Sequence, residues 1–285
     1  MTQSESRLSS TEERQLRAKL EKSRNPSIKF NKLQMYFGRP YTIDLEDADG
    51  SITIYPPSLG DIIDYGETEW YQNLMIYTSN TTSYRYQLSL SGIDWCSISD
   101  FELFRGLYQA VDERFNQIIF HQDISKFEKY NREIENENGE IEKIQVLYDE
   151  ETGTEINEMV YFHISQYLRA CFHNNPKEEI VEQEALKRAL LNKEKANLHN
   201  VEVMKRDGMD SDSALLPLVS ACINHPGFPY SIENLDKLPM FAFMDSVARL
   251  QIYESTRATL SGAYSGMCDM SKVPQENFNF MREIN

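Results

Sequence analysis

One apolar stretch near the C-terminus, between Asp236 and Gly266, has the pattern of a long helix. Pro239 suits a first helical turn, because its missing N–H would have no intrahelical partner there, and Gly266 suits a left-handed cap at the other end. A helix that is apolar on most sides requires burial on most sides, so this stretch is predicted to be a core element or a partner-binding surface. The candidate residues follow spacings of three and four and share one face: Met240, Phe243, Met244, Val247 and Leu250.

The remaining pattern divides the chain into four regions and predicts an α+β fold that is mainly α-helical. It combines an N-terminal β-hairpin, a central small β-meander and a C-terminal helical bundle. The regions are a polar N-terminal arm with a helix (1–34), a hairpin plus helices (35–114), a β-rich acidic insertion (115–155) and a helical C-terminal region (156–285).

Capping and turn residues predict the elements of the first two regions. A capping-box pattern that starts at Ser10 predicts a helix over residues 11–23, either a surface appendage or an arm that docks on a partner. The Asp49-Gly50 pair predicts a β-hairpin over residues 41–55. The helices that follow are predicted as one from Ser58 to Tyr77, one over residues 83–90 and one over residues 99–112.

The second half of the chain begins with short β-prone runs and then becomes helical. Asn138-Gly139 is its strongest hairpin turn. Strands are predicted at residues 118–120, 127–130 and 144–148. Beside the apolar stretch near the C-terminus, helices are predicted over residues 156–173, 177–206, 215–223 and 274–284. The 177–206 helix is strongly charged with a modest apolar stripe, which fits a partly exposed helix or a coiled-coil-like contact.

Composition narrows the class of partner. The 285 residues carry a net charge of −16, which disfavours binding to nucleic acid. Residues 133–158 are the most acidic part, either a solvated surface or a contact for a basic partner. No apolar run is long enough to span a bilayer and no secretory signal is visible, so we expect no membrane association and a location in the cytoplasm. The four cysteines are spread out and are expected to be free thiols.

The sequence contains no motif that points to catalysis, a cofactor or a metal. No nucleotide-binding glycine loop and no metalloprotease helix is present. His163 and His173 would lie about 15 Å apart on one helix, too far to share a metal ion. Asp245 and Arg249 are four residues apart, which predicts either an intrahelical ion pair or a buried anchor for a nearby loop. The chain is therefore interpreted as a non-enzyme without cofactor or metal.

Several stretches resemble one family. They are residues 36–41, 57–67, 99–104, 215–220, 226–228 and 240–251. Together they are similar to tail assembly chaperone-like proteins from the tail-morphogenesis region of tailed phages that infect Gram-positive bacteria. The resemblance covers most of residues 35–284 and leaves out the N-terminal arm.

The resemblance implies a non-enzymatic protein of the infected host cytoplasm, which binds the tape measure protein or the tail-tube protein during assembly. Self-association is a further expectation. Two alternatives stay open: a structural virion component of the neck, tail or baseplate, and an enzyme or host-defence antagonist. The family has no catalytic motif, so the resemblance assigns no site residue.

Overall fold

The structure is a computed structural model that describes residues 28–44, 51–135, 141–181, 183–207, 213–266 and 270–284. Helices make up 57% of these residues, beside two small antiparallel sheets, which confirms the predicted α+β, mainly helical class. The predicted helix over residues 11–23 lies outside the described residues. So do the turns at residues 49–50 and 138–139.

The described residues form eleven α-helices and two separate antiparallel sheets, one of two strands and one of three. The strands are β1 (Tyr41–Asp44), β2 (Ser51–Ile54), β3 (Glu128–Glu135), β4 (Ile141–Tyr148) and β5 (Glu155–Ile156). The helices are α1 (Lys32–Tyr36), α2 (Leu59–Tyr65), α3 (Glu67–Thr78), α4 (Arg85–Leu90), α5 (Asp100–Leu107), α6 (Glu113–Phe120), α7 (Glu158–Cys171), α8 (Glu184–Arg206), α9 (Leu215–Ile223), α10 (Ile232–Leu235) and α11 (Met240–Tyr264).

The predicted N-terminal hairpin is confirmed. Strands β1 and β2 pair antiparallel, with Tyr41 opposite Ile54 and Ile43 opposite Ile52. The alternation of the sequence matches the burial, because Ile43, Ile52 and Ile54 face the core. In the second sheet, β4 lies between β3 and β5, and all neighbours are antiparallel.

The prediction of a strand at residues 118–120 is wrong. These residues form the last turn of α6, which begins because the Asp112 side chain accepts a hydrogen bond from the N–H of Arg114. The helix ends at His121, whose φ of 57° lies in the left-handed region. The apolar run faces the core from a helix, since Ile119 and Phe120 are both buried.

The prediction of one helix from Ser58 to Tyr77 is also wrong. Ser58 begins α2 with a capping box in which it exchanges hydrogen bonds with Asp61. Gly66, with a φ of 109°, then separates α2 from α3. A φ in this region favours glycine, so the chain can turn there at low cost and start a second helix.

The predicted helix over residues 177–206 begins seven residues late, at Glu184. Residues 177–181 instead form an irregular segment, and backbone groups in it are bound by other parts of the fold. The N–H of Glu179 donates to the hydroxyl of Thr82 at 3.0 Å, and the Trp95 ring N–H donates to the Glu179 carbonyl at 3.2 Å. The predicted helix over residues 274–284 is reduced to a 3₁₀ turn, Gln275–Phe278.

One main core joins the N-terminal hairpin, α2, α3, α5 to α7 and the start of α11. Its largest buried side chains are aromatic, and Tyr77 also donates a hydrogen bond to the buried Asn116 at 2.7 Å. Residues from all three predicted regions beyond residue 34 contribute to this core. The region boundaries at residues 114 and 155 stay a prediction. Among the described residues, no helix has both the length and the apolar character that a bilayer crossing requires.

Candidate functional site

The apolar face predicted on α11 is divided between the core and the surface. Met240 and Phe243 are completely buried in the main core. Met244, Val247 and Leu250 pack against its edge and are only half-buried. The sequence left core and interface open as alternatives. The structure assigns the first turn to the core and leaves the continuation of the stripe at the surface.

Backbone pairing fixes the start of α11. The N–H of Met240 donates to the Pro57 carbonyl at 2.8 Å, and the N–H of Gly60 donates to the Asp236 carbonyl at 2.7 Å. Ser58 and Pro239 form an isolated antiparallel bridge between them. A side chain at position 60 would not fit, since its Cβ would lie 2.8 Å from the Asp236 oxygen. The start of α2 therefore determines where α11 enters the core.

Arg249 holds the C-terminal segment against α11. Its Nη1 donates to the carbonyls of Phe280 and Arg282, at 2.9 Å and 2.8 Å. The sequence allowed either an ion pair between Asp245 and Arg249 or an anchor for a nearby loop. In the structure, Arg249 is the anchor for a loop. Arg282 in turn donates to the Asn277 side chain at 2.8 Å, which closes the segment on itself.

The C-terminal segment that Arg249 anchors forms a groove of about 520 Å³ with α11. We call it the tail groove, after the C-terminal tail of the chain. Its walls come from the loop after α9, the middle of α11 and the C-terminal segment. The lining residues are His225, Pro226, Gly227, Arg249, Leu250, Tyr253, Phe280 and Met281. Tyr253 and Phe280 meet edge to face at 6.2 Å, and both stay half-exposed, while Met281 is 73% exposed. A polar groove of about 670 Å³, lined among others by Gln251 and Glu276, lies between other residues of α11 and the same segment.

His225 gives the tail groove a polar group. Its Nε2 lies 3.2 Å from a carboxylate oxygen of Glu254. Its Nδ1 is buried and has no hydrogen-bond partner among the described residues. A buried ring nitrogen without a hydrogen bond lowers the stability of the fold, and a hydrogen-bond partner would remove that cost. A bound segment could supply that partner while its apolar side chains contact Tyr253, Phe280 and Met281.

No protein-family model matches this sequence, and neither a curated protein nor a solved structure is similar to it. The tail groove must therefore be interpreted from its own chemistry.

The described residues contain no cluster of His, Cys, Asp and Glu that could hold a metal ion. The Nδ1 of His163 lies 2.8 Å from the Tyr41 hydroxyl. Burial lowers the pKa of both His163 and His173, which favours their neutral forms. Cys171 and Cys222 are free thiols, as predicted, and burial raises the pKa of the Cys171 thiol far above its usual range. The Sγ of Cys96 lies 3.7 Å from the Val181 carbonyl oxygen. Cys268 lies outside the described residues.

Among the lining residues, sequence reasoning named Leu250 as a candidate site residue and Arg249 as a possible anchor for a nearby loop, and it missed the others. One signal was available: Tyr253 continues the stripe three residues beyond Leu250. The contribution of Phe280 and Met281 was not predictable in the same way. It depends on the bond from Arg249 to backbone carbonyls, which no spacing in the sequence reveals.

Proposed function

We propose that this chain is a non-enzymatic tail assembly chaperone, which binds the tape measure protein or the tail-tube protein in the host cytoplasm. The tail groove carries this proposal. It is concave and open to solvent, and it combines two aromatic rings, a flexible methionine and a hydrogen-bonding histidine. Methionine and aromatic side chains adapt to irregular apolar partners, and a groove of this kind binds the apolar face of a helix.

The proposed partner fits the groove because a tape measure protein is long and helical, as the resemblance implies. A helix presents apolar side chains at spacings of three and four, and such anchors can lie along the contact of α11 with the C-terminal segment. The net charge of −16 supports the same role, since it keeps a chain with an exposed apolar groove in solution. It also favours a partner with basic residues beside its apolar face.

The first test measures solubility of the tape measure protein when the two proteins are expressed together. The groove variant is Tyr253→Asp with Phe280→Asp, and the control is Leu90→Asp, which is 72% exposed and does not line the groove. We expect the wild type and the control to keep the tape measure protein in the supernatant, and the groove variant to lose it. Equal rescue by all three proteins would refute the role of the groove.

The second test separates a chaperone from a virion component. Mass spectrometry of purified particles should find the tape measure protein and lack this chain. Many copies in each particle would instead identify a structural component of the neck, tail or baseplate. In that case the tail groove would be a contact of the finished particle.

A further inference from the structure

The first half of α8 is firmly attached to the body of the protein. Arg85 donates to Glu194 at 2.8 Å, and Lys187 donates to Asp94 at 2.5 Å. Leu191 packs on a second small apolar cluster of Leu88, Trp95 and Leu103. These contacts fix the direction of the helix from Glu184 to Glu194.

The second half of α8, residues 195–206, has no such attachment. Within the described ranges, no hydrogen bond or ion pair joins residues 195–204 to another element of the fold. Yet this part is amphipathic: Leu198, Val201 and Met204 follow one another at a spacing of three and share one side. Val201 and Met204 are exposed. At 1.5 Å per residue, the free half is about 18 Å long.

Helix α8 also differs in charge from the rest of the protein. It contains six basic and three acidic residues, although the whole chain has a net charge of −16. Two of the charged groups, Lys187 and Glu194, are used in the attachment of the first half. The free half is thus a basic helix with an apolar stripe. Its complement is an acidic surface with an apolar face.

The ribbon formed by β3 and β4 has such a surface. Cross-strand partners share a face, so the exposed Tyr130 lies beside Val146, which is buried within its own chain, and Arg132, which pairs with Glu155, lies beside the half-buried Ile144. Tyr130 is exposed, and its ring lies 6.4 Å from that of Tyr148 on the same face. Each strand has eight residues and is about 26 Å long, which is enough for the free half of α8.

The ribbon is also the acidic part of the chain. Residues 128–158 contain eleven acidic and three basic residues. Glu128 lies opposite Tyr148, and Asp149, Glu150 and Glu151 follow that tyrosine. The carboxylates of Glu128, Glu150 and Glu151 are exposed. The apolar face around Tyr130 and Tyr148 is therefore bordered by negative charge.

We propose that the free half of α8 docks on the β3–β4 ribbon of a second copy of this chain. The charges are complementary, the lengths agree, and no described hydrogen bond or ion pair joins the two surfaces within one chain. A pair formed in this way still has one unused helix on one copy and one unused ribbon on the other, so association continues head to tail into a ring or a chain of subunits. Neither surface includes a residue of the tail groove, so this proposal is independent of the proposed function.

Sedimentation velocity over a range of protein concentrations tests the contact. The helix variant is Val201→Asp with Met204→Asp, and the ribbon variant is Tyr130→Asp. The control is Leu186→Asp, equally exposed but on the attached half of α8. We expect the wild type and the control to form oligomers that high salt weakens. Each variant should raise the dissociation constant at least about tenfold.

Mixing the two variants gives the sharpest readout. The ribbon variant supplies an intact helix and the helix variant an intact ribbon, so the mixture should form a 1:1 dimer that grows no further. If only the helix variant abolishes association, the helices pair with each other and the proposal is overturned. A monomeric wild type, or a mixture that stays monomeric, overturns it as well. If Tyr130→Asp alters the circular dichroism spectrum, Glu150→Lys with Glu151→Lys takes its place.

Discussion

Truncation of Phe243 to alanine is the most direct test of the way in which α11 is built into the core. The side chain is fully buried, in the first turn of a helix whose start is fixed by backbone pairing to Pro57 and Gly60. Surrounding atoms that are held in place cannot collapse into the space that a lost ring leaves. Replacement of a buried phenylalanine by alanine costs about 3–5 kcal/mol in such sites. That is a large fraction of the 5–15 kcal/mol, roughly, that stabilises a typical domain.

Urea unfolding followed by circular dichroism measures this loss. With a slope near 3 kcal/mol per molar urea, the midpoint of Phe243→Ala should fall by about 1 to 1.7 M. The matched control is Leu250→Ala on the same helix, which is half-buried at the tail groove and should cost only about 1 kcal/mol. The reasoning fails if the two variants lose the same stability, or if Phe243→Ala unfolds within about 0.3 M of the wild type.

Three further changes test separate contacts, each by urea unfolding. Gly66→Ala should cost more than about 1 kcal/mol, because the φ of 109° is strained for alanine. Tyr77→Phe should cost about 1–3 kcal/mol, because it leaves the buried Asn116 oxygen without its hydroxyl donor. Burial alone would raise the pKa of Asp123, but hydrogen bonds, one of them from Asn116, hold it below the usual value. The ionised Asp123 should therefore add to the free energy of unfolding above about pH 4, and this contribution should be lost as the pH falls through the lowered pKa of the folded state. The variant Asp123→Asn should not show this loss.

Local signals predicted the ends of elements well where the responsible residues act on their own neighbours. Pro239 and Gly266 predicted a helix between them, and α11 runs from Met240 to Tyr264. A helix was predicted over residues 99–112, and Ser99 forms a capping box with Glu102 at the start of α5. In these cases the hydrogen bonds span three or four residues, so the sequence contains both partners.

The errors arose where distant residues decide the local conformation. Residues 177–181 have the composition of a helix, but Thr82 and Trp95 bind the backbone of Glu179 outside the helix that starts at Glu184. The run at residues 118–120 is short and apolar, and such a run does not distinguish a strand from a buried helical turn. The tail groove was missed for the same reason, since Arg249 binds carbonyls about thirty residues away.

The bridge between Ser58 and Pro239 has a consequence for folding on the ribosome. It joins two segments about 180 residues apart, and synthesis at about 5–20 residues per second separates their emergence by about 9 to 36 s. During that interval the N–H groups of Leu59 and Gly60 lack their native acceptors, and the site that Phe243 fills is open. The early part of the chain is then prone to aggregation. A nascent chain that stalls before residue 236 should need a cellular chaperone to keep it from aggregating. A chain whose Phe243 has left the ribosome should fold without that chaperone.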